Sequence, residues 1–333
     1  MFPKAQATAD HFGGAAVRAF AIIADNMPTI PLYTTPADPN AWHAVRAPGG
    51  FEWWQFTAWV GAFEQYVVVD FIEGDPFDTR YRDAYRRYRK APTRNPPPAP
   101  AAFGRASLLH CRNGSRTSGD VSGPLIASAE RLDLSVASLK AIREASGEIR
   151  VTGMAGESSV DLTFFPTVSG EVVPLSSSLQ WDLVAPRCTV RGTVTIGGEA
   201  KSIDGHGDVQ HWVSTASIDQ TAYGVTWMRG RAVTADASWL FSLLAGTARP
   251  NLAGLFVFEI TADVPKEIPI TQASISARPF FFKHPHTLTI SDRLMLSAPT
   301  VLAASAPRRV RYDARIDRQP AAAVVEVIAC SGW

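Results

Sequence analysis

Beyond residue 50, short apolar or alternating runs are separated by polar turns along the rest of the chain. The runs are rich in β-branched and aromatic residues, and Gly, Pro, Ser and Asn stand between them, as they do between strands. The clearest runs cover residues 66–72, 148–153, 160–165, 188–196, 255–261, 287–290, 309–316 and 324–328. The pair Gly197-Gly198 after the fourth run is typical of a tight hairpin. The pattern predicts an all-β, antiparallel fold with a few short helices.

One segment departs from this pattern and predicts a helix. Residues 80–90 read RYRDAYRRYRK, and Tyr81, Tyr85 and Tyr88 are spaced by four and three, which places them on one helical face. A basic helix can bind nucleic acid or a membrane, but the net charge of the whole chain is only +1. There is therefore no general field to attract nucleic acid. We expect a helical insertion at about residues 78–92 that docks on the fold through its tyrosines.

Length and composition bound the organisation of the chain. Its 333 residues exceed the roughly 250–300 at which a single core usually stops growing. Two domains are therefore expected, residues 1–183 and 184–333, with the seam between about residues 165 and 190. Only 19% of the residues are charged, against about 25% in a typical domain, which fits a large apolar pocket.

The first residues give no sign of a membrane segment. An apolar stretch at residues 15–24 is interrupted by Arg18 and preceded by Asp10. It is shorter than the about 20 residues that cross a bilayer, and a signal peptide would begin with positive charge. We expect a short helix that packs on the fold, no integral membrane segment and a cytoplasmic location.

Three blocks carry a family resemblance. Residues 52–60, EWWQFTAWV, resemble the EWWYFDAHL-type signature of the lipocalin-like family that contains carotenoid 1,2-hydratase (hydroxyneurosporene synthase) and the fungal Diels–Alderases. Residues 205–212, GHGDVQHW, are similar to its G-x-G-Y-H-D-H-x-W-G pattern, and residues 223–231, YGVTWMRGR, to its W-x-W-G-R strand. The resemblance implies two lipocalin-like β-barrel or sandwich domains, divided at residues 183 and 184. It also implies a ligand cavity and no redox cofactor.

The second block departs from the family where hydration chemistry is expected. The family's His-Asp-His cluster is suited to protonating an alkene. Here Val209 and Gln210 replace two of its members, which leaves His211 and Asp208. A positioned acid contributes about 10²–10⁴-fold to a rate, so the departure disfavours a hydratase.

The favoured hypothesis is a cofactor-independent cyclase or isomerase, similar to a Diels–Alderase, that acts on a hydrophobic polyene, polyketide or terpenoid intermediate. Such a reaction needs the substrate held in a near-attack shape and donors that polarise a carbonyl. The candidate catalytic residues are His211, Gln55 and Asp208. The candidate substrate-binding residues are Trp53, Trp54, Gln210, Trp212, Tyr223, Trp227 and Arg229. In particular, we expect Trp54, Gln55, His211 and Trp227 to line one cavity.

Two alternatives stay open, a carotenoid 1,2-hydratase-like lyase and a non-catalytic carrier of a lipophilic ligand. A metal site at His206, Asp208 and His211 is not expected, because the sequence shows no further convergent ligand. Nucleotide-binding and serine-hydrolase motifs are lacking. The expected partner is a hydrophobic small molecule, with no cofactor and no nucleic acid, and the oligomeric state is left open.

Overall fold

The computed structural model describes residues 33–329 except for residues 114, 222–224, 235–237, 247–251, 261–264, 268–272, 277–286, 291–292 and 304–306. The apolar stretch at residues 15–24 and the candidate ligand contact Tyr223 therefore lie outside the described residues.

The first sheet has twelve antiparallel strands. They are β1 (Phe51–Val60), β2 (Gln65–Glu73), β3 (Arg105–Arg112), β4 (Ser115–Ser122), β5 (Ile126–Ala127), β6 (Asp133–Val136), β7 (Leu139–Arg143), β8 (Ile149–Ala155), β9 (Ser158–Pro166), β10 (Glu171–Pro174), β11 (Leu179–Ile196) and β12 (Glu199–Ser214). The hydrogen-bonded order is β4-β3-β2-β1-β12-β11-β9-β8-β7-β6-β5, and β10 pairs with β11. The sheet curls strongly: a Cβ on Gly119 of β4 would lie 2.1 Å from the carbonyl oxygen of Ala155 in β8.

The second sheet contains nine described strands. They are β13 (Val225–Val233), β14 (Ser238–Gly246), β15 (Leu252–Ile260), β16 (Pro265–Glu267), β17 (Ala273–Ser276), β18 (Thr287–Ile290), β19 (Leu294–Ala303), β20 (Arg308–Ile316) and β21 (Gln319–Ala329). Their order is β16-β15-β14-β13-β21-β20-β19-β18-β17. Strands β13 and β21 lie at its centre, and their side chains meet the first sheet.

Helices are few in the described part of the chain. They are α1 (Thr79–Lys90), a 3₁₀ turn (Pro100–Ala102) and α2 (Ile218–Thr221). Asp78 caps α1 by accepting a hydrogen bond from the backbone N–H of Arg80. The Tyr81 hydroxyl donates to the Gly50 carbonyl at 2.7 Å, and the Tyr85 hydroxyl donates to the side chain of Gln220 at 2.6 Å. The expected helix docked by tyrosines is confirmed. None of the described helices is long and apolar enough to cross a membrane.

The predicted fold class is confirmed, since the protein is built almost entirely from antiparallel strands. Gly197 and Gly198 join β11 to β12 with φ angles of 55° and 82°, which only glycine adopts readily at both positions of such a turn. The chain passes from the first sheet to the second between residues 214 and 225. The expected boundary at residues 183 and 184 falls within β11, and the division into separate domains stays a prediction.

Alternation along β1 divides its side chains between two cores. Trp54, Phe56 and Ala58 point into the curled first sheet and join its interior core. Trp53 and Trp59 point the other way and pack with side chains of the second sheet. Successive strand residues face opposite sides, so a single strand lines both the interior of one sheet and the junction between the two sheets.

Candidate functional sites

Strands β1 and β12 pair across the centre of the first sheet and bring two of the family-like blocks together. Trp53 pairs with Trp212, Trp54 with His211, and Gln55 with Gln210. Because the two strands share one pleat, the first and third pairs face the second sheet, and the middle pair faces the barrel interior. The β1–β12 pair therefore supports two distinct clusters, one on each face.

The cluster between the sheets is a buried network of charges. Three arginines, Arg229, Arg231 and Arg309, meet three carboxylates, Asp70, Asp208 and Glu326. The Nε of Arg309 donates to Glu326 at 2.5 Å, and its Nη2 donates to Asp70 at 2.7 Å. The formal charges of these six residues balance, as buried ions require.

Three of the predicted site residues, Gln55, Asp208 and Gln210, belong to this network. Gln55 donates to Asp70 and Glu326 and accepts from Arg231. Asp208 accepts from Arg231 at 2.7 Å and from Gln210 at 2.6 Å, and Gln210 accepts from an indole N–H. Burial raises the pKa of Asp208, although Arg231 opposes the rise. The polar groups of these side chains are thus committed to protein partners.

Arg229 differs from the other arginines in the network. Its guanidinium carbon lies 3.7 Å from the ring centroids of both Trp53 and Trp212, and 5.6 Å from that of Trp227. Nε donates to Glu326 at 2.5 Å, while Nη1 and Nη2 are buried without a hydrogen-bond partner among the residues that the structure describes. We call Arg229 and these three tryptophans the arginine cage.

The unpartnered N–H groups of the cage lower the stability of the fold unless an acceptor binds to them. Cation–π contacts contribute about 0.5–2 kcal/mol. A buried donor left without an acceptor costs about 1–3 kcal/mol, and more when it is charged. Burial lowers the pKa of Arg229, and Glu326 opposes this shift. The Nη1 and Nη2 groups of Arg229 are therefore enclosed among aromatic side chains at the junction of the sheets.

The cluster in the barrel interior is built around His211, whose ring stacks on Trp54 with centroids 4.4 Å apart and an interplanar angle of 6°. Its Nε2 lies 3.0 Å from Glu52 Oε1, and its Nδ1 lies 3.1 Å from Asp182 Oδ2. The Nδ1 of His43 lies 3.1 Å from the same Glu52 oxygen. We call His43, Glu52, Asp182 and His211 the histidine cluster; all four are buried.

Sequence reasoning found only His211 in this cluster. A sequence signal for Glu52 exists, because Glu52 is the first residue of the EWW signature and strand alternation places it on the same face of β1 as Trp54. His43 stands in the irregular segment before β1, and Asp182 precedes a bulge in β11. Neither carries a local signal. They join His211 only through the strand order, which sets β1, β12 and β11 side by side.

The electrostatics of the histidine cluster favour a cation at its centre. Burial lowers the pKa of His211, but hydrogen bonds and charge from Asp182 and Glu52 outweigh it and raise the pKa to about 9. Burial raises the pKa of Glu52, yet His211 and His43 bring it below its ordinary value. The donor atoms of His43, Glu52 and His211 all lie within 4.8 Å of one another, so these three residues could also hold a metal ion.

A cleft of about 360 Å³ opens beside the histidine cluster. Asn40 and Val184 line it, and the Asn40 carbonyl accepts a hydrogen bond from the indole of Trp54 at 3.3 Å. Val184 belongs to the barrel core, two residues beyond Asp182. None of the four residues of the histidine cluster lines the cleft, so Asn40 and Val184 separate it from them.

The structure brings the predicted site residues together in two groups rather than one. Trp53, Trp212, Trp227 and Arg229 meet in the arginine cage, and Gln55, Asp208 and Gln210 lie in the adjoining network. Trp54 and His211 stack on the opposite face. The four residues expected to line one cavity are therefore divided, with Trp54 and His211 inside the barrel and Gln55 and Trp227 between the sheets. His206, Asp208 and His211, at which no metal site was expected, are also divided, since Asp208 and His211 face opposite sides of the sheet.

No family model and no curated protein matches the sequence, but solved structures do match. An AttH-assigned protein from Nitrosomonas europaea is similar over 84% of this chain and 92% of its own, with a TM-score of 0.58 and 12% identity. Kievitone hydratase from Nectria haematococca is similar over 90% and 95%, with a TM-score of 0.56 and 13% identity. CghA, a Diels–Alderase, is similar over 91% and 96%, with a TM-score of 0.55 and 11% identity.

The protein has the lipocalin-like fold. The resemblance inferred from the three blocks is thereby confirmed at the level of fold, over nearly the whole length of each neighbour. Neighbours with this fold include enzymes of two reaction types, a hydratase and a Diels–Alderase. At identities this low the similarity carries no residue role, so the chemistry of this lipocalin-like protein is argued from its own side chains.

Proposed function

We propose that the protein is a cyclase or isomerase, Diels–Alderase-like, that folds a hydrophobic polyene bearing a conjugated carbonyl. The observation that supports this best is the arginine cage, in which buried N–H groups of Arg229 lack partners and stand between the indoles of Trp53 and Trp212. In this proposal a substrate carbonyl oxygen reaches Nη1 and Nη2 of Arg229 and supplies the missing acceptor, while the guanidinium itself covers the faces of both indoles. Ligand sites of this kind commonly lie at junctions between structural layers.

The charge balance of the network determines which kind of ligand oxygen can bind to the cage. The three arginines of the network are already matched by three carboxylates. An anionic ligand would add an uncompensated negative charge to a buried site, which costs several kcal/mol. A neutral carbonyl satisfies the N–H groups without disturbing the balance. The favoured substrates are therefore ketones, amides or related neutral carbonyl compounds.

The cage matches the needs of a cycloaddition. Two carbon–carbon bonds form while three π bonds become one, and no proton, electron or leaving group is exchanged. Catalysis then rests on holding the chain in a near-attack shape and on lowering the energy of an alkene conjugated to the carbonyl. A charged N–H donor to that carbonyl strengthens its electron withdrawal, and loss of one such donor costs about 10²–10³-fold in well-studied sites.

Hydration of an alkene is the second candidate, and a different observation favours it. Hydration begins with proton transfer from an acid, and His211, held between Glu52 and Asp182, is the candidate acid. We rank it second because the pKa of about 9 makes His211 a weak acid for an unactivated alkene. A non-catalytic carrier ranks third, since binding alone does not need an unpartnered charged donor.

The test compares the rates at which wild type and two Arg229 variants cyclise a linear triene whose terminal alkene is conjugated to a ketone. Wild-type protein should accelerate its cyclisation, and Arg229→Met should lose about 10²–10³-fold of the acceleration. Arg229→Lys keeps the charge but not the planar fork and should lose a similar amount. The same triene with its ketone reduced to an alcohol should gain almost no acceleration from any of these proteins.

A matched control is Arg293→Lys. Arg293 also lies over an indole, 4.7 Å from the centroid of Trp239, but it is partly exposed and paired with Asp317. This variant should cyclise the trienone at the wild-type rate. Circular dichroism confirms that every variant is folded. Equal turnover by folded Arg229→Met and wild type would remove the cage from the chemistry.

A further inference from the structure

More polar groups converge in the histidine cluster than a single proton donor requires. Glu52 Oε1 receives the His43 Nδ1, the His211 Nε2 and the His43 backbone N–H, the last at 2.8 Å. Glu52 Oε2 is buried and has no partner among the described residues. Two imidazoles and a carboxylate, one of whose oxygens has no partner among the described residues, thus converge in a buried site. At these separations a proton or a metal ion lies between each ring nitrogen and the carboxylate oxygen.

We propose that His43, Glu52 and His211 bind a divalent metal ion, Zn²⁺ in the first place. Imidazole nitrogen and carboxylate oxygen are the ligands that Zn²⁺ takes at about 2.0–2.2 Å. The three donor atoms already lie within 4.8 Å of one another. Glu52 can bind through its second oxygen, which completes the site without a further residue. The metal replaces the proton between His211 and Glu52.

Asp182 also supports a metal site, because it lies next to the ring nitrogen of His211 that would not bind the metal. A histidine that binds a metal through one ring nitrogen usually gives its other N–H to a carboxylate, which fixes the tautomer and the ring orientation. Asp182 Oδ2 stands 3.1 Å from His211 Nδ1 as an ion-pair partner, although neither atom completes a hydrogen bond among the described residues, and Gln180 donates to the other oxygen of Asp182 at 2.7 Å. Trp54 stacks on the ring and holds its plane. His211 Nε2 is therefore aimed at the centre of the site.

The proposed ion links three separate parts of the chain. His43 lies in the irregular segment before β1, Glu52 lies in β1 and His211 lies in β12. The metal would fasten that segment to β1 and β12. It faces away from the arginine cage, so the inference does not rest on the proposed cyclisation.

The experiment measures metal binding directly. Protein stripped with chelator and desalted is mixed with ZnCl₂ or CoCl₂, desalted again and analysed for metal content. Wild type should retain one Zn²⁺ per chain, melt at a higher temperature with Zn²⁺ than without it, and show visible d–d absorption with Co²⁺. His43→Ala and Glu52→Gln should lose retention and absorption, and Asp182→Asn should bind about 10–100-fold more weakly.

The control variant is His206→Ala, which removes an exposed histidine from the same strand as His211 and should bind like wild type. Retention of no metal by wild type, with no Zn²⁺-dependent change in melting, would overturn the inference and leave a protonated cluster. Equal binding by His43→Ala would also overturn it. Turnover of the trienone is read separately: it should survive chelation, so failure of either proposal is visible without the other.

Discussion

Single residues in β12 decide how closely the first sheet is packed. A Cβ at Gly207 would lie 2.4 Å from the Thr57 carbonyl oxygen and 2.5 Å from a methyl carbon of Val190. The glycine in this family-like block therefore permits the close approach of β12 to β1 rather than a turn. The same close pairing sets Trp54 against His211 and Trp53 against Trp212.

Gly207→Ala should lower the free energy of unfolding by about 1–3 kcal/mol, because the neighbouring backbone cannot move aside without strain. Gly123→Ala is the control, since a Cβ there would meet only Val136 at 3.9 Å. Urea unfolding measures both. A Gly207→Ala protein as stable as Gly123→Ala would contradict the close packing of β12 on β1.

The helix α1 shows how an amphipathic element is attached to a β fold. Its buried residues are Tyr81 and Tyr85, and each hydroxyl reaches a partner in a segment far along the chain. Its arginines lie mainly on the outer side. The tyrosine spacing was sufficient to predict this attachment, because helix periodicity is a local property of the sequence.

Tyr85→Phe should cost about 1 kcal/mol of stability, the usual net value of one hydrogen bond, because it removes the contact with Gln220. Tyr88→Phe changes a half-buried tyrosine on the same stripe and should stay within about 0.5 kcal/mol of wild type. Thermal or urea unfolding checks both. The docking account is wrong if the two variants are equally stable.

Local sequence patterns predict the strands, turns and helix, whereas the residues that meet in each site are determined by the pairing of strands far apart in the sequence. Alternation in β1 predicts that Trp53 and Trp54 face opposite sides, and the Gly-Gly pair predicts the β11–β12 hairpin. The contact between Glu52 and His211 spans 159 residues, and no short pattern encodes it. The grouping of Trp54 with Gln55 failed for a related reason: membership in one motif does not override the two-residue period of a strand.

At the scale of the whole molecule, the junction of the two sheets depends on buried charges. Glu326 binds both Arg229 and Arg309. Burial raises the pKa of Glu326, but Arg229, Arg309 and Arg231 outweigh it and lower the pKa to about 2 from an ordinary 4.5. A depressed carboxyl pKa stabilises the fold above the unfolded-state value, and that contribution is lost as the pH falls through the folded-state value.

The protein should therefore lose stability as the pH falls from about 4.5 toward about 2. Glu326→Gln should reduce stability at neutral pH by about 3–5 kcal/mol, because Arg229 loses its carboxylate partner and Arg309 keeps only Asp70, and should flatten the acid dependence. Glu157→Gln, at an exposed carboxylate in the turn between β8 and β9, should change neither. Urea unfolding at a series of pH values measures all three proteins. An unchanged acid slope in Glu326→Gln would contradict the role of Glu326.

The central claim is that the N–H groups of Arg229 donate to a substrate carbonyl between the sheets. Infrared difference spectroscopy of a carbonyl-labelled trienone measures this contact directly. The account predicts that the carbonyl stretching band moves to lower wavenumber on binding to wild type and returns toward its position in apolar solvent in Arg229→Met. A band that does not move on binding, or that moves equally in both proteins, would contradict the claim.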